Sequence, residues 1–258
     1  MEIEQNWQNY RSTINNRVAI FSANLGIFDQ FPMDERECYV VQFAIPFKAN
    51  EIGMPVAEVY QDLFKSILRA LSQLSALSNS LYAGHTICDG KAKLYFYTSD
   101  PSEFANVLID LDYCHDLDVQ GDPNWDTYFD FLLPSPLESK LNATEEILGL
   151  LNQNGKNLAD VFAIEHTFYF DNKENMLEFI ENIALEKIFF NAIKYTDERV
   201  TVDEDEAFYM LKLEQELSLN SMDIFNLVEK FDQLANQYSG EYVGWECDGM
   251  AREKDQLN

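Results

Sequence analysis

Apolar and polar positions along this chain switch repeatedly between a period of two and a period near three and a half. RVAIFSANLGIF (Arg17–Phe28) and CYVVQFAIPF (Cys38–Phe47) are β-rich and predict two strands, with the turn-like FPMDERE between them. From Pro55 the period changes. Val56, Val59, Tyr60, Leu63, Ile67, Leu71 and Leu74 recur at three or four, which predicts a long amphipathic helix with proline in its first turn. SLYAGHTICDGKAKLYFYTSD returns to alternation, and its Asp89-Gly90 pair predicts a hairpin. PSEFANVLIDLD predicts a shorter helix capped by Asp100 or Ser102, and WDTYFDFLLP a final strand or short helix.

LLPSPLESK (Leu132–Lys140) carries two of the seven prolines and predicts an extended linker. It divides the chain into domains at 1–136 and 141–258, with the linker near 132–140; a length of 258 residues suits two modest domains. Beyond it the pattern starts afresh. NATEEILGLLNQNG predicts a helix capped by Asn142 or Thr144 and stopped by Gly155. VFAIEHTFYFDN is β-rich, and NKENMLEFIENIALE sets Met176, Leu177, Ile180, Ile183 and Ala184 on one helical face. KIFFNAIKYTDERV and AFYMLKLEQEL predict neighbouring strands, with the acids of TVDEDEA in the turn between them and Phe189 and Phe190 in the core. LNSMDIFNLVEKFDQLANQYSG predicts a helix capped by Asn220 or Ser221, burying Ile224, Phe225, Val228, Phe231 and Leu234 and stopped by Gly240. EYVGWE supplies a last short strand. The expected fold class is therefore α+β. It comprises two layered α/β-sandwich domains with mainly antiparallel sheets, the second ferredoxin-like, βαββαβ with an extra N-terminal helix.

Composition and charge narrow the function. Hydrophobic residues make up 47%, enough for real cores, while the net charge is −27. Nucleic-acid affinity comes largely from Lys and Arg displacing counterions, so direct binding to RNA or DNA is disfavoured and a basic protein partner favoured. Up to Lys140 the chain has 9 basic and 20 acidic residues, net −11; beyond it, 9 and 25, net −16. None of the four cysteines lies in a C-x-x-C pair, so neither a zinc site nor a redox motif is expected, and no cofactor is implied. The polar start MEIEQNWQNYRS and the absence of a run near 20 apolar residues predict no membrane span and a cytoplasmic location.

Several separated motifs carry a resemblance. From about Thr144 to Gly249 the chain resembles the regulator of ribonuclease E activity B (RraB-like) family. The carrying residues are Asn154-Gly155, Ile164-Glu165-His166 with Phe168 and Tyr169, and Gly240-Glu241-Tyr242-Val243-Gly244-Trp245. Val243 stands where the family commonly has Asp. From Asn6 to Pro136 the chain resembles the domain of unknown function 695 family, through NWQNYR, Tyr82-Ala83-Gly84-His85-Thr86 followed by LYFYTSD, and DPNWDTYFDFLLP. No activity attaches to that family. The first resemblance implies a ferredoxin-like second domain and a non-enzymatic protein that binds and inhibits ribonuclease E. The implied partner is the arginine-rich noncatalytic region of that enzyme.

The candidate chemistry is sparse. In a strand only one of Glu165 and His166 faces inward, and the simplest reading is a histidine hydrogen-bonded at a sheet edge. His85 has no second ligand at metal spacing. Cys114 and His115 point apart in an extended segment, which argues against a thiol–imidazole nucleophile. The run Asp203, Glu204, Asp205, Glu206 lacks the glycine and spacing of a calcium loop. It reads as a solvated turn or as a docking patch for arginines. With Glu241, Glu246 and Asp248 it forms the candidate partner-binding set. Gly155, Glu165, His166, Gly240, Tyr242, Gly244 and Trp245 are motif residues expected to be structural. The series Asp110, Asp112, Asp116, Asp118 and Asp122 leaves one alternative, a small metal-assisted hydrolase depending on Asp122 or Asp126.

Overall fold

The computed structural model describes residues 5–29, 39–186, 188–203 and 206–248. The predicted turn FPMDERE lies outside them. The chain divides into two compact units, Met1–Glu138 and Ser139–Asn258.

The first unit contains β1 (Trp7–Ile14), β2 (Arg17–Asn24), α1 (Gly26–Asp29), β3 (Tyr39–Pro46), α2 (Ala57–Leu74), β4 (Leu81–Cys88), β5 (Lys91–Thr98), α3 (Ser102–Ile109), β6 (His115–Gly121) and a π-helical turn at Thr127–Leu132. Its six strands form one sheet in the order β1-β2-β4-β5-β3-β6, every pair antiparallel. The near-continuous apolar runs of β3 and β5 follow from burial on both faces. Val41, Phe43, Leu94 and Phe96 meet α2 and α3 through Leu63, Ile67 and Phe104. Val40, Tyr95 and Tyr97 face the other way, against Trp125, Tyr128 and Leu132. Asp89 and Gly90, both at positive φ, make the two-residue turn between β4 and β5.

Two strands are additions to the sequence reading. β1 and β6 are the sheet's edges, and β6 is exposed along its whole length, so neither carries the apolar alternation that marks a half-buried strand. On α2 the buried face is Leu63, Ile67, Ala70 and Leu74, and Tyr60 is left exposed.

The Pro/Ser segment differs from the extended linker expected of it. Helix α4 (Pro136–Gln153) begins there. Ser135 and Glu138 form a capping box: Glu138 N donates to Ser135 Oγ at 3.2 Å, and Ser135 N donates to the Glu138 carboxylate at 2.9 Å. Pro136 then occupies the first helical position, where its missing N–H costs nothing. Asn142 and Thr144 are consequently buried inside the helix rather than capping it. Gly155, at φ +72°, ends α4, with Lys156 N donating to Leu151 O at 3.0 Å.

The second unit continues with β7 (Val161–Phe170), α5 (Lys173–Leu185), β8 (Ala192–Tyr195), β9 (Val200–Asp203), β10 (Glu206–Ser218), α6 (Asp223–Gln237) and β11 (Gly240–Cys247). The sheet order is β11-β7-β10-β8, with β9 added to β10 and all pairs antiparallel. The two split βαβ units thus interleave as a ferredoxin-like sheet. Phe162, Ile164, His166, Phe168 and Phe170 alternate inward on β7, where His166 and Phe168 meet Phe231 of α6 and Phe168 and Phe170 meet Phe179 of α5. Phe179, rather than Leu177 or Ala184, completes the buried face of α5.

Three other expectations change here. Phe189 is not core: it lies before the short β8 and is 91% exposed, while Phe190 reaches Phe231 at 6.3 Å between ring centroids. Gly240 does not stop α6. Ser239 takes the left-handed turn at φ +52°, and Gly240 opens β11, where an added Cβ would lie 2.2 Å from the Phe170 ring. His166 is not at a sheet edge, because β7 pairs with both β10 and β11.

Candidate functional site

Tyr242 and Trp245 are three residues apart, a spacing that would place them on opposite faces of a regular strand. A bulge between Tyr242 and Gly244 corrects this: Tyr242 pairs with Phe168, Gly244 with Thr167, and Trp245 with His166. Gly244 sits at φ +146°, which a side chain rarely adopts. Both rings therefore turn inward, Tyr242 onto His166, Phe168 and Phe231. His166 Nδ1 lies 2.9 Å from the Tyr242 hydroxyl, and its Nε2 lies 2.7 Å from Gln215 Nε2. Burial pushes the imidazole down to about 3, so at neutral pH it is an uncharged structural group. Val243 falls at the exposed bulge, so the departure from the family motif leaves the core untouched.

The same register organises the opposite, solvent-facing side of the sheet. Glu246 of β11 stands opposite Glu165 of β7, which stands opposite Glu214 of β10. Three glutamates thus lie side by side across three adjacent strands. Like charges directly opposite each other in a sheet are destabilising. Two lysines relieve part of this: Lys212 pairs with Glu165, and Lys194 with Glu214. The hydrogen bond to Glu214, then the charges of Glu214 and Glu165, hold the Lys194 ammonium above its usual range. Among the described residues no cation pairs with Glu246. Beyond the row come Glu216 and Asp248. All five acids line a depression of about 420 Å³, with Asn191 at its side. The exposed Phe189 is two residues from Asn191.

The arrangement offers fixed, closely spaced carboxylates on a strand scaffold, suited to guanidinium or ammonium groups of another chain. Sequence comparison places these residues in families. Residues 5–133, half of the chain, match the model of the family of unknown function DUF695. The chain belongs to the DUF695 family. In this DUF695 protein a second match follows: residues 141–247 fit the family described as Regulator of ribonuclease activity B, and that span holds Glu165, Glu214, Glu216 and Glu246. No curated protein matches the chain. Among solved structures it is similar to one titled "Crystal Structure of an Unknown Protein from Galdieria sulphuraria". That likeness has 10% identity and a TM-score of 0.24, and covers 82% of this chain and 96% of the other.

Among the described residues the candidate partner set falls at separate places on the sheet. Glu246 and Asp248 join the depression, and Glu241 is exposed further along the edge strand. Asp203 and Glu206 pair at the β9–β10 end, while Glu204 and Asp205 lie outside the described residues. Glu216 lies ten positions along β10 from Glu206, roughly 30 Å at strand rise. Glu214 and Glu216 are outside the set expected from the sequence, where Glu165 is a scaffold residue. The signal was present in LKLEQELS, where Lys212, Glu214 and Glu216 alternate onto one face.

The other candidates have structural roles. Asp122 accepts from the Tyr97 hydroxyl at 2.6 Å, Asp126 N at 2.8 Å and Thr127 N at 3.0 Å. Burial, the largest influence, would raise its carboxyl, but these donors outweigh it and hold the group below the usual range. It caps the π-helical turn and leaves little capacity for a metal. Among the described residues no cluster of three His, Cys, Asp or Glu side chains could hold a cation. Burial, then Asp112, pushes the Cys114 thiol up to about 11, the reverse of an activated nucleophile. His85 meets the Tyr82 hydroxyl through Nδ1 at 2.6 Å. No described helix is long and apolar enough to cross a membrane.

Proposed function

We propose that this protein is a non-enzymatic regulator that binds ribonuclease E, or a related RNA-decay complex, through protein–protein contacts and restrains it. The match of residues 141–247 to the Regulator of ribonuclease activity B family carries the reading. The acid row Glu246–Glu165–Glu214 supports it by giving a basic partner a surface of opposite charge. The partner is the arginine-rich noncatalytic region of the ribonuclease, and the site of action is the cytoplasm. RNA itself is not contacted, because a chain of net charge −27 repels phosphate.

A pull-down of the full chain with that arginine-rich region tests the reading. Capture should succeed at low salt and weaken steeply as salt rises, and overproduction of the protein in its own cells should lengthen RNA half-lives. Failure of capture at low salt together with unchanged half-lives removes the proposal.

A further inference from the structure

A second depression lies in the first unit and has no part in the reading above. It measures about 440 Å³, within the roughly 300–1,000 Å³ typical of small-ligand sites. Tyr10, Phe21, Phe129 and Phe131 give it aromatic walls, Asp130 and Glu138 give it two carboxylates, and none of the residues lining it is basic. Local structure assembles these groups. Pairing of β1 with β2 sets Tyr10 opposite Phe21, and their rings stack with centroids 4.9 Å apart. Phe131, from the π-helical turn, stands edge-on to Phe21 at 5.4 Å. The Tyr10 hydroxyl donates to Leu132 O at 2.9 Å and fixes the strand to that turn.

Both carboxylates are placed by the capped start of α4 and the turn before it. Glu138 accepts from Ser12 Oγ, and from Ser135 N and Oγ at 2.9 and 2.8 Å. Its charge is felt inside the depression: the Tyr10 phenol is pushed up first by burial and then by Glu138. Asp130 is exposed and is offered to solvent at the rim.

Aromatic rings and carboxylates favour one kind of guest. Ring quadrupoles and negative charge both stabilise a cation lying against the ring. An anion meets two like charges, and a neutral apolar guest would strip water from the carboxylates without compensation. A bare metal ion gains little, because among the described residues no three His, Cys, Asp or Glu side chains converge to hold it. We propose that this depression binds an organic cation, a guanidinium or alkylammonium group, seated against Phe129 and Phe131 with Asp130 as counter-charge.

Calorimetric titration of the full chain with agmatine, and separately with an end-blocked Gly-Arg-Gly peptide, tests the proposal. Saturable binding of at least one is expected. Asp130→Asn and Phe129→Leu should each weaken it about tenfold, the second by replacing the ring with an apolar group that lacks its quadrupole. Asp62→Asn, an exposed acid of α2 outside this depression, should leave it unchanged. Tighter binding of the peptide identifies a protein side chain as the source of the cation, and tighter binding of agmatine a free small molecule. Absence of saturation by either at millimolar concentration, or binding indifferent to both Asp130→Asn and Phe129→Leu, overturns the proposal. Asp130→Asn alters an exposed side chain and decides the matter even where Phe129→Leu lowers the melting temperature.

Discussion

Trp245 Nε1 donates a hydrogen bond to Thr144 Oγ1 at 2.9 Å, tying the last strand of the second unit to the helix that precedes its sheet. Both partners are buried, and Thr144 Oγ1 in turn donates to Lys140 O at 2.9 Å. The glycine-rich ending of the chain is thereby a closure of the core on one face and a source of acids on the other.

Replacing Trp245 with Ala should cost roughly 3–5 kcal/mol, the usual effect of emptying a buried aromatic site. Thr144→Val leaves the indole N–H unpaired and should cost about 1–3 kcal/mol. The two changes should be less than additive in a double-mutant cycle measured by urea unfolding. Full additivity would mean that the hydrogen bond contributes nothing.

Lys140 and Asp232 form an ion pair at 2.6 Å with side chains only 12% and 11% exposed. Lys140→Ala strands a carboxylate in the interior and should destabilise by about 3–5 kcal/mol. Lys140→Met combined with Asp232→Leu should recover most of that loss, since neither charge then remains to be solvated. Thermal melts of the two variants and the parent protein check the order; a double variant as unstable as Lys140→Ala would contradict it.

These two contacts also mark what could be read in the sequence and what could not. The helices and central strands were legible because α6 and β7 each bury one periodic stripe, Ile224, Val228 and Phe231 on one and Phe162 through Phe170 on the other. The edges β1 and β6 were illegible because an edge strand exposed to water has no apolar alternation to show. Lys140 was assigned to a linker because proline and serine usually signal one; here they form the capping box and first turn of α4. The acid row required register. Glu165, Glu214 and Glu246 are dozens of positions apart in the chain and become neighbours only through the β7–β10 and β7–β11 pairings.

Gly240→Ala should be poorly tolerated, because its Cβ would enter the Phe170 ring at 2.2 Å and the ring is itself buried. Overpacking of this kind costs about 1–3 kcal/mol. Gly149→Ala is the control: it is a half-buried site in α4 with nothing within 4 Å of an added Cβ, and it should be neutral or stabilising by up to about 1 kcal/mol. Equal melting temperatures for the two variants would show that Phe170 yields freely.

Stability should fall on mild acidification through two histidines. In the unfolded chain each titrates near 6.5; in the folded protein burial lowers His85 to about 4 and His166 to about 3. Above 6.5 both states hold the imidazoles neutral and there is no effect. As pH falls from 6.5 towards 4 the unfolded chain takes up protons that the folded one refuses, so each histidine subtracts at most about 1.4 kcal/mol per pH unit. Urea unfolding at pH 7 and pH 5 should show a smaller drop for His166→Gln and for His85→Gln than for the parent protein. An unchanged drop in both variants would place the acid sensitivity elsewhere.

On the proposed function, the row of glutamates should make stability and binding move in opposite directions. Glu246 faces Glu165 across the strand pair, so Glu246→Gln removes a like-charge contact and should stabilise the protein by about 0.2–1 kcal/mol. The same change removes one carboxylate from the surface offered to a basic partner. Capture of the arginine-rich region should then weaken and depend less steeply on salt, as expected when an ionic contact is lost. Thr167→Ser, on the same face one row away and uncharged, should alter neither property much. A Glu246→Gln protein that melts later but binds as tightly as its parent would separate the strain in the row from the binding surface, and would move the basic partner to another face of the molecule.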